Sequence, residues 1–73
     1  MTEKINVPIK TDFIKLDSLL KLADLVESGG TAKMIILEGR VSVNGEVCTM
    51  RGKKIRPGDI VTVENFEVTV SQN

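Results

Sequence analysis

The chain has 73 residues, 41% of them hydrophobic and 27% charged, which fits one small folded domain and is too apolar for a disordered segment. Ten basic side chains balance ten acidic ones, so the net charge of zero points to neither a nucleic acid nor a membrane as partner. The sequence has no histidine and one cysteine, Cys48, which excludes an internal disulfide, a Cys/His metal site and an imidazole base.

Two further features of the sequence bear on the cellular location of the protein and on whether it is an enzyme. The chain contains no apolar run of about eighteen residues, the length that a membrane helix needs. Cys48 has no histidine to activate it, so we assign its side chain a structural role. We therefore expect a cytoplasmic, monomeric protein that is not an enzyme and uses no cofactor.

The N-terminal third predicts one edge strand and one helix. Residues 4–9 alternate between apolar and polar side chains, and Pro8 confines this strand to a sheet edge, where it can pair with the C-terminal strands. Residues 16–26 follow with helical spacing, and Asp17 suits both the N-cap and the positive end of the helix dipole. The apolar positions of this helix are Leu16, Leu19, Leu20, Ala23 and Val26.

The stretch that organises the chain is residues 28–45, which predicts a glycine turn, a second helix and a hairpin. Gly29 and Gly30 can adopt the positive φ of a tight turn between the two helices, with Ser28 or Thr31 as the N-cap. Because both helices are too short to persist alone in water, they are expected to pack on each other and on a sheet. The second helix runs to Gly39, and its apolar positions are Ala32, Ile35 and Ile36.

Three turn signals separate the remaining strands. Asn44-Gly45 is typical of a two-residue hairpin turn, Pro57-Gly58 of a type II turn, and Glu64-Asn65 separates two β-rich runs. The two aromatic side chains, Phe13 and Phe66, lie in apolar segments and are expected in the core. The predicted strands are residues 40–43, 46–49, 60–63 and 66–70. The fold class is α+β, with two short helices packed on a small, mostly antiparallel sheet.

Positive charge is concentrated in residues 40–56, where Glu46 is the single acid. Part of this charge lies in the basic loop, which we define as Met50 to Lys54. Free N–H groups at the start of the second helix suit a phosphate, and cations in the loop could follow a phosphate backbone. The candidate binding residues are Ser28, Gly29, Gly30, Thr31, Lys33, Arg40, Arg51, Lys53, Lys54 and Arg56.

Each of these features also has a purely structural explanation. The glycines alone account for a tight turn, and a short basic loop is most often solvated surface. If the loop folds beside the second helix, however, six cations could share one face and attract RNA. These cations are Lys33, Arg40, Arg51, Lys53, Lys54 and Arg56.

Three segments together resemble the S4-like RNA-binding domain, also called the alpha-L RNA-binding motif. They are Lys15-Leu16-Asp17-Ser18-Leu19-Leu20, the stretch from Leu25 to Gly45, and Arg56-Pro57-Gly58-Asp59-Ile60-Val61. The resemblance covers residues 15–63 of one domain spanning 1–73 and is greatest to the small free-standing bacterial members. Gly29 stands where the family usually has a basic residue, which leaves only backbone donors there.

The resemblance implies binding of structured RNA by the second helix, the loop before it and the basic hairpin loop. Ribosomal RNA is favoured and transfer RNA is the second choice, with a role on the ribosome, in its assembly or in translation. The alternative is a small β-grasp-like protein-interaction module, because Val43-Asn44-Gly45 and Pro57-Gly58-Asp59 also occur in such sheets.

Overall fold

The computed structural model describes residues 2–73, which form a five-stranded sheet, a two-stranded ribbon and two short helices. The helices are α1 (Leu16–Leu22) and α2 (Gly29–Leu37). The strands are β1 (Glu3–Ile9), β2 (Ile14–Lys15), β3 (Val41–Val43), β4 (Glu46–Val47), β5 (Lys54–Ile55), β6 (Ile60–Val63) and β7 (Phe66–Gln72). The predicted α+β class is confirmed. Neither helix in the described part of the chain is long and apolar enough to cross a membrane.

The larger sheet is mostly antiparallel and has the strand order β1-β7-β6-β3-β4. Only its β1–β7 pair is parallel, with Val7 opposite Val70. Pro8 therefore lies on an edge strand that pairs with the C-terminal strand, as predicted. The smaller ribbon pairs β2 with β5.

The core joins the helices to the sheet. Leu16, Leu19 and Leu20 of α1 are completely buried, in one cluster with Ala32 and Ile36 of α2 and with the valines of β3, β6 and β7. No polar or charged side chain is buried among residues 2–73. The expectation of an aromatic core is wrong, because Phe13 and Phe66 are only half-buried and lie outside this cluster.

The first helix ends earlier than its apolar pattern indicates. Asp24 takes a left-handed backbone with φ of 62°, and the Leu25 N–H donates to the Leu20 carbonyl at 3.0 Å, which closes the helix after Leu22. Val26 is buried, but in the connection between the helices. The N-cap of α1 is Lys15 and not Asp17, and the Lys15 side chain makes no capping bond.

The start of the second helix agrees with the sequence prediction at Ser28 but not at Gly29 and Gly30. Ser28 is the N-cap, and its hydroxyl oxygen accepts from the Thr31 N–H at 3.3 Å. Gly29 and Gly30 form the first helical turn, so the predicted positive φ at these glycines is wrong. The positive φ is found at Gly39 instead, where φ is 76°, directly after the helix ends.

All three predicted turns are confirmed by backbone geometry. Asn44 and Gly45 have φ of 51° and 87°, the pair of left-handed residues that a type I′ hairpin requires. Gly58 has φ of 98°, and the Asp59 N–H donates to the Arg56 carbonyl at 3.0 Å, as in a type II turn. Glu64, with φ of 54°, begins the turn between β6 and β7.

The backbone at Gly39 and Gly30 predicts opposite effects of the same substitution. Gly39→Ala should lower the free energy of unfolding by about 1 kcal/mol, because alanine is strained at positive φ. Gly30→Ala should raise it by about 0.5 kcal/mol, because the new methyl group meets only the Ser28 hydroxyl at 3.8 Å and restricts the unfolded chain. Urea denaturation measures both, and a loss at Gly30 equal to that at Gly39 would contradict the assigned helix start.

Candidate nucleic-acid interface

A hydrogen-bonded bridge between Asn44 and Asp59 joins the β3–β4 hairpin to the turn before β6. The Asn44 side-chain amide donates to Asp59 Oδ1 at 3.1 Å, and its oxygen accepts from the Ile60 N–H at 2.9 Å. The other carboxylate oxygen of Asp59 accepts from the Arg56 N–H at 2.8 Å. Two turns that are distant in sequence are therefore fixed relative to each other.

This arrangement favours the ionised form of Asp59. The backbone hydrogen bond from Arg56 is the main cause that lowers the pKa of the carboxyl group, and the Asn44 amide and the charges of Lys53 and Arg56 act in the same direction. Partial burial of the carboxyl group acts in the opposite direction and raises its pKa, but the lowering effects are larger. The bridge is consequently strongest above the ordinary pKa of an aspartate.

The basic loop is held against the start of α1. The Lys53 N–H donates to the Met50 carbonyl at 3.1 Å, which closes the loop on itself. The carbonyls of Lys53 and Arg51 accept from the N–H groups of Leu16 and Asp17 at 2.9 and 3.1 Å. Backbone oxygens thus satisfy two helix donors that a capping side chain would otherwise satisfy. The loop backbone is fixed by these bonds, while its basic side chains are exposed.

The ribbon beside the loop brings two further groups to this region. Lys15 lies directly opposite Lys54 in the β2–β5 pair, an unfavourable position for two like charges. The Lys54 ammonium lies 4.9 Å from the centroid of the Phe13 ring, and the Arg56 guanidinium carbon lies 6.0 Å from it. Attraction to the ring face offsets part of this repulsion. Phe13 thus contacts the cations instead of filling the core.

Lys15 was not among the residues predicted for the site. A strand of two residues has no periodicity that a sequence could reveal, and its pairing with β5 is a tertiary contact. The one available signal is its place at the head of the Lys15-Leu16-Asp17 segment, which carries the family resemblance.

An open groove of about 610 Å³ lies beside the basic loop. One set of its lining side chains is basic, and another set is apolar and belongs to β4 and the residues after it. The acids Glu46 and Asp59 also line the groove, but both carboxylate oxygens of Asp59 already accept hydrogen bonds. The basic members are Lys53, Lys54 and Arg56, and the apolar ones include Val47, Cys48 and Met50.

The other predicted residues lie on α2. The Gly29 and Gly30 N–H groups are at its first turn, Thr31 is bonded to Ser28, and Lys33 is exposed one turn further on. The basic loop is bonded to α1, and α1 packs on α2. A single binding face that spans the loop and α2 stays a prediction.

Arg40 differs from the loop cations because acids compensate its charge. Its Nε donates to Glu64 Oε1 at 2.8 Å, its Nη2 contacts the same oxygen, and its Nη1 lies 3.7 Å from Glu38 Oε1. The hydrogen bond to Glu64, followed by that carboxylate's charge, raises the pKa of Arg40. Both side-chain salt bridges found within residues 2–73 belong to Arg40. The four basic side chains from Arg51 to Arg56 have none in the same range.

The lowered pKa of Asp59 predicts a pH-dependent contribution to stability. A carboxyl group with a lower pKa in the folded state stabilises the fold fully above about pH 4, and this contribution disappears as the pH falls through the folded-state value. Asp59→Asn should therefore lower the free energy of unfolding by about 1 kcal/mol at pH 7, with a difference that shrinks below pH 4. Urea denaturation from pH 3 to pH 7 measures it. The exposed Asp12→Asn variant is the control, and an equal loss there would contradict the role of the bridge.

Comparison with known proteins identifies the family. The family model described as S4 domain matches residues 7–71. A Bacillus subtilis (strain 168) protein named "Probable ribosome maturation protein RlbA" is 45% identical over 60 residues, which cover 82% of this chain and 84% of that protein. An Escherichia coli (strain K12) protein named "Putative RNA-binding protein YbcJ" is 41% identical over 61 residues, covering 84% of this chain and 87% of the relative. The resemblance that the motifs indicated is confirmed, and the chain belongs to the S4 domain family.

Proposed function

We propose that the protein binds structured RNA, with ribosomal RNA as the favoured target, through the basic loop and the start of α2. The main support for this proposal is that some basic side chains form salt bridges with acids and others do not. Arg51, Lys53, Lys54 and Arg56 lie within six residues of one another and form no salt bridge in the described chain, whereas Arg40 is paired twice. Cations left unpaired on a fixed backbone are suited to phosphates.

The fixed backbone supports binding by shape as well as by charge. The basic loop is bonded to α1 at one side, and the Asn44–Asp59 bridge holds the turn that follows it. Less conformational entropy is then lost when RNA binds than with a mobile basic tail. Exposed Lys33 and the N–H groups of Gly29 and Gly30 would supply further phosphate contacts at the start of α2.

The relatives support the choice of target. One is named for ribosome maturation and the other for RNA binding, and both align with more than four-fifths of this chain. We place this protein in ribosome assembly or translation, acting by binding and without catalysis. The comparisons do not support the alternative, a β-grasp-like interaction module, because the family model that matches is the S4 domain.

Salt dependence of RNA binding tests this proposal. If about four phosphates are neutralised, log K should fall against log salt with a slope of roughly −3 to −4. Lys33→Ala, Arg51→Ala and Lys53→Ala should each weaken binding and make the slope shallower by about one. Fluorescence anisotropy of labelled ribosomal RNA fragments at several salt concentrations measures both quantities.

Matched controls come from the opposite edge of the sheet. Lys4 and Lys10, in and just after edge strand β1, are exposed lysines with Glu3 and Asp12 close by in sequence. Lys4→Ala and Lys10→Ala should leave affinity unchanged. Binding that is independent of salt, or that falls equally in these controls, would place the RNA face elsewhere.

Lys15 provides a second test, with two readouts of opposite sign. Because Lys15 faces Lys54 across the ribbon, Lys15→Ala should relieve repulsion and raise the free energy of unfolding by a few tenths of a kcal/mol. The same substitution should weaken RNA binding, because it removes a cation beside the basic loop. Urea denaturation and anisotropy measure the two effects. A variant that is less stable but binds RNA normally would show that Lys15 has only a structural role.

A further inference from the structure

We propose that the groove beside the basic loop binds the base of one unpaired nucleotide, so that the protein prefers RNA with a bulge or loop over a continuous duplex. This inference rests on the RNA-binding function proposed above. It adds a contact to a base, which phosphate binding alone does not require.

The apolar side chains of the groove are suited to contact a nucleotide base. Val47 and Met50 are 64% and 65% exposed, although both are large apolar side chains and all of the other valines are buried. Both line the groove together with half-buried Cys48. Flat, weakly polar bases are bound by apolar and aromatic side chains when they are out of the helical stack.

Charge complementarity selects a nucleotide among the possible occupants. Lys53, Lys54 and Arg56 line the same groove as Val47 and Met50. A nucleotide combines an anionic phosphate with an apolar ring system, so it can use both kinds of surface at once. The competing occupant is an extended peptide added to the outer edge of β4, but β4 offers only Glu46 and Val47 for such pairing.

The groove also offers hydrogen bonds to the edge of a base. The Asn44 amide uses one N–H on Asp59 and its oxygen on Ile60, which leaves its second N–H without a partner in the described structure. The outer edge of β4 is unpaired within residues 2–73 and adds backbone groups. An unpaired base exposes its full hydrogen-bonding edge to such groups, whereas the major groove of an RNA duplex is too deep and narrow for side chains to reach the bases.

Three RNA duplexes of the same sequence, each annealed from two strands so that no hairpin loop is present, test the inference. One carries a single bulged adenosine, one carries an abasic nucleotide at that position, and one is fully paired. The protein should bind the bulged RNA about tenfold more tightly than the other two, as expected for one base held by side chains. Replacing the adenosine by 2-aminopurine should also give a fluorescence change on binding.

Variants locate the contact in the groove. Val47→Ala and Met50→Ala should each reduce the preference for the bulged base severalfold without changing the salt slope, because an uncharged side chain neutralises no phosphate. Leu22→Ala is the control, since Leu22 is 59% exposed and does not line the groove. Thermal unfolding confirms that each variant is folded.

The outcomes separate this inference from the proposed function. Equal affinity for the three RNAs would overturn the nucleotide groove and leave phosphate binding in place. Loss of the preference in Leu22→Ala as large as in Val47→Ala would also overturn it. Failure to bind any of the three RNAs, at low salt as well, would overturn both proposals.

Discussion

The hydrogen bond between Asn44 and Asp59 is the constraint on which the candidate site depends. Asn44 lies in the hairpin before the basic loop and Asp59 lies just after it, so one bond of 3.1 Å fixes the segment at both ends. Between them, the loop carbonyls bind the first N–H groups of α1. The same contacts that complete the fold therefore hold the cations in place.

The partners of the acidic side chains explain how charge is distributed over the surface. A chain with zero net charge can still present a basic surface if its acids are used elsewhere. Glu64 and Glu38 compensate Arg40, and Asp59 accepts hydrogen bonds from Asn44 and from the backbone of Arg56. The cations of the basic loop are left without salt bridges in the described chain. Their mutual repulsion costs some stability, which an RNA ligand would recover.

Local chemistry explains what the sequence predicted correctly. Asn44-Gly45 and Pro57-Gly58 specify their turns through φ values that few other residues adopt, and Ser28 caps α2 through its own hydroxyl group. The family resemblance was also carried by such local segments. It predicts the correct fold without information on contacts between distant residues.

Tertiary contacts explain what the sequence did not reveal. Asp17 looked like a helix cap, but carbonyls of the basic loop, more than thirty residues later, bind the first N–H groups of α1. Phe13 looked like a core residue, but it contacts Lys54 and Arg56. Lys15 became a candidate only through its pairing with β5. Each of these roles depends on a partner far along the chain, which spacing and periodicity cannot identify.

We propose that RNA binds where the Asn44–Asp59 bridge holds the basic loop. Titration of isotope-labelled protein with a ribosomal RNA fragment, followed by amide chemical shifts in NMR spectra, tests this location of the binding site. We expect the largest shifts on residues 50–56, on Lys15 and on the first turn of α2, and we expect these shifts to weaken as salt is added. Shifts confined to β1 and β7, with the basic loop unaffected, would contradict it.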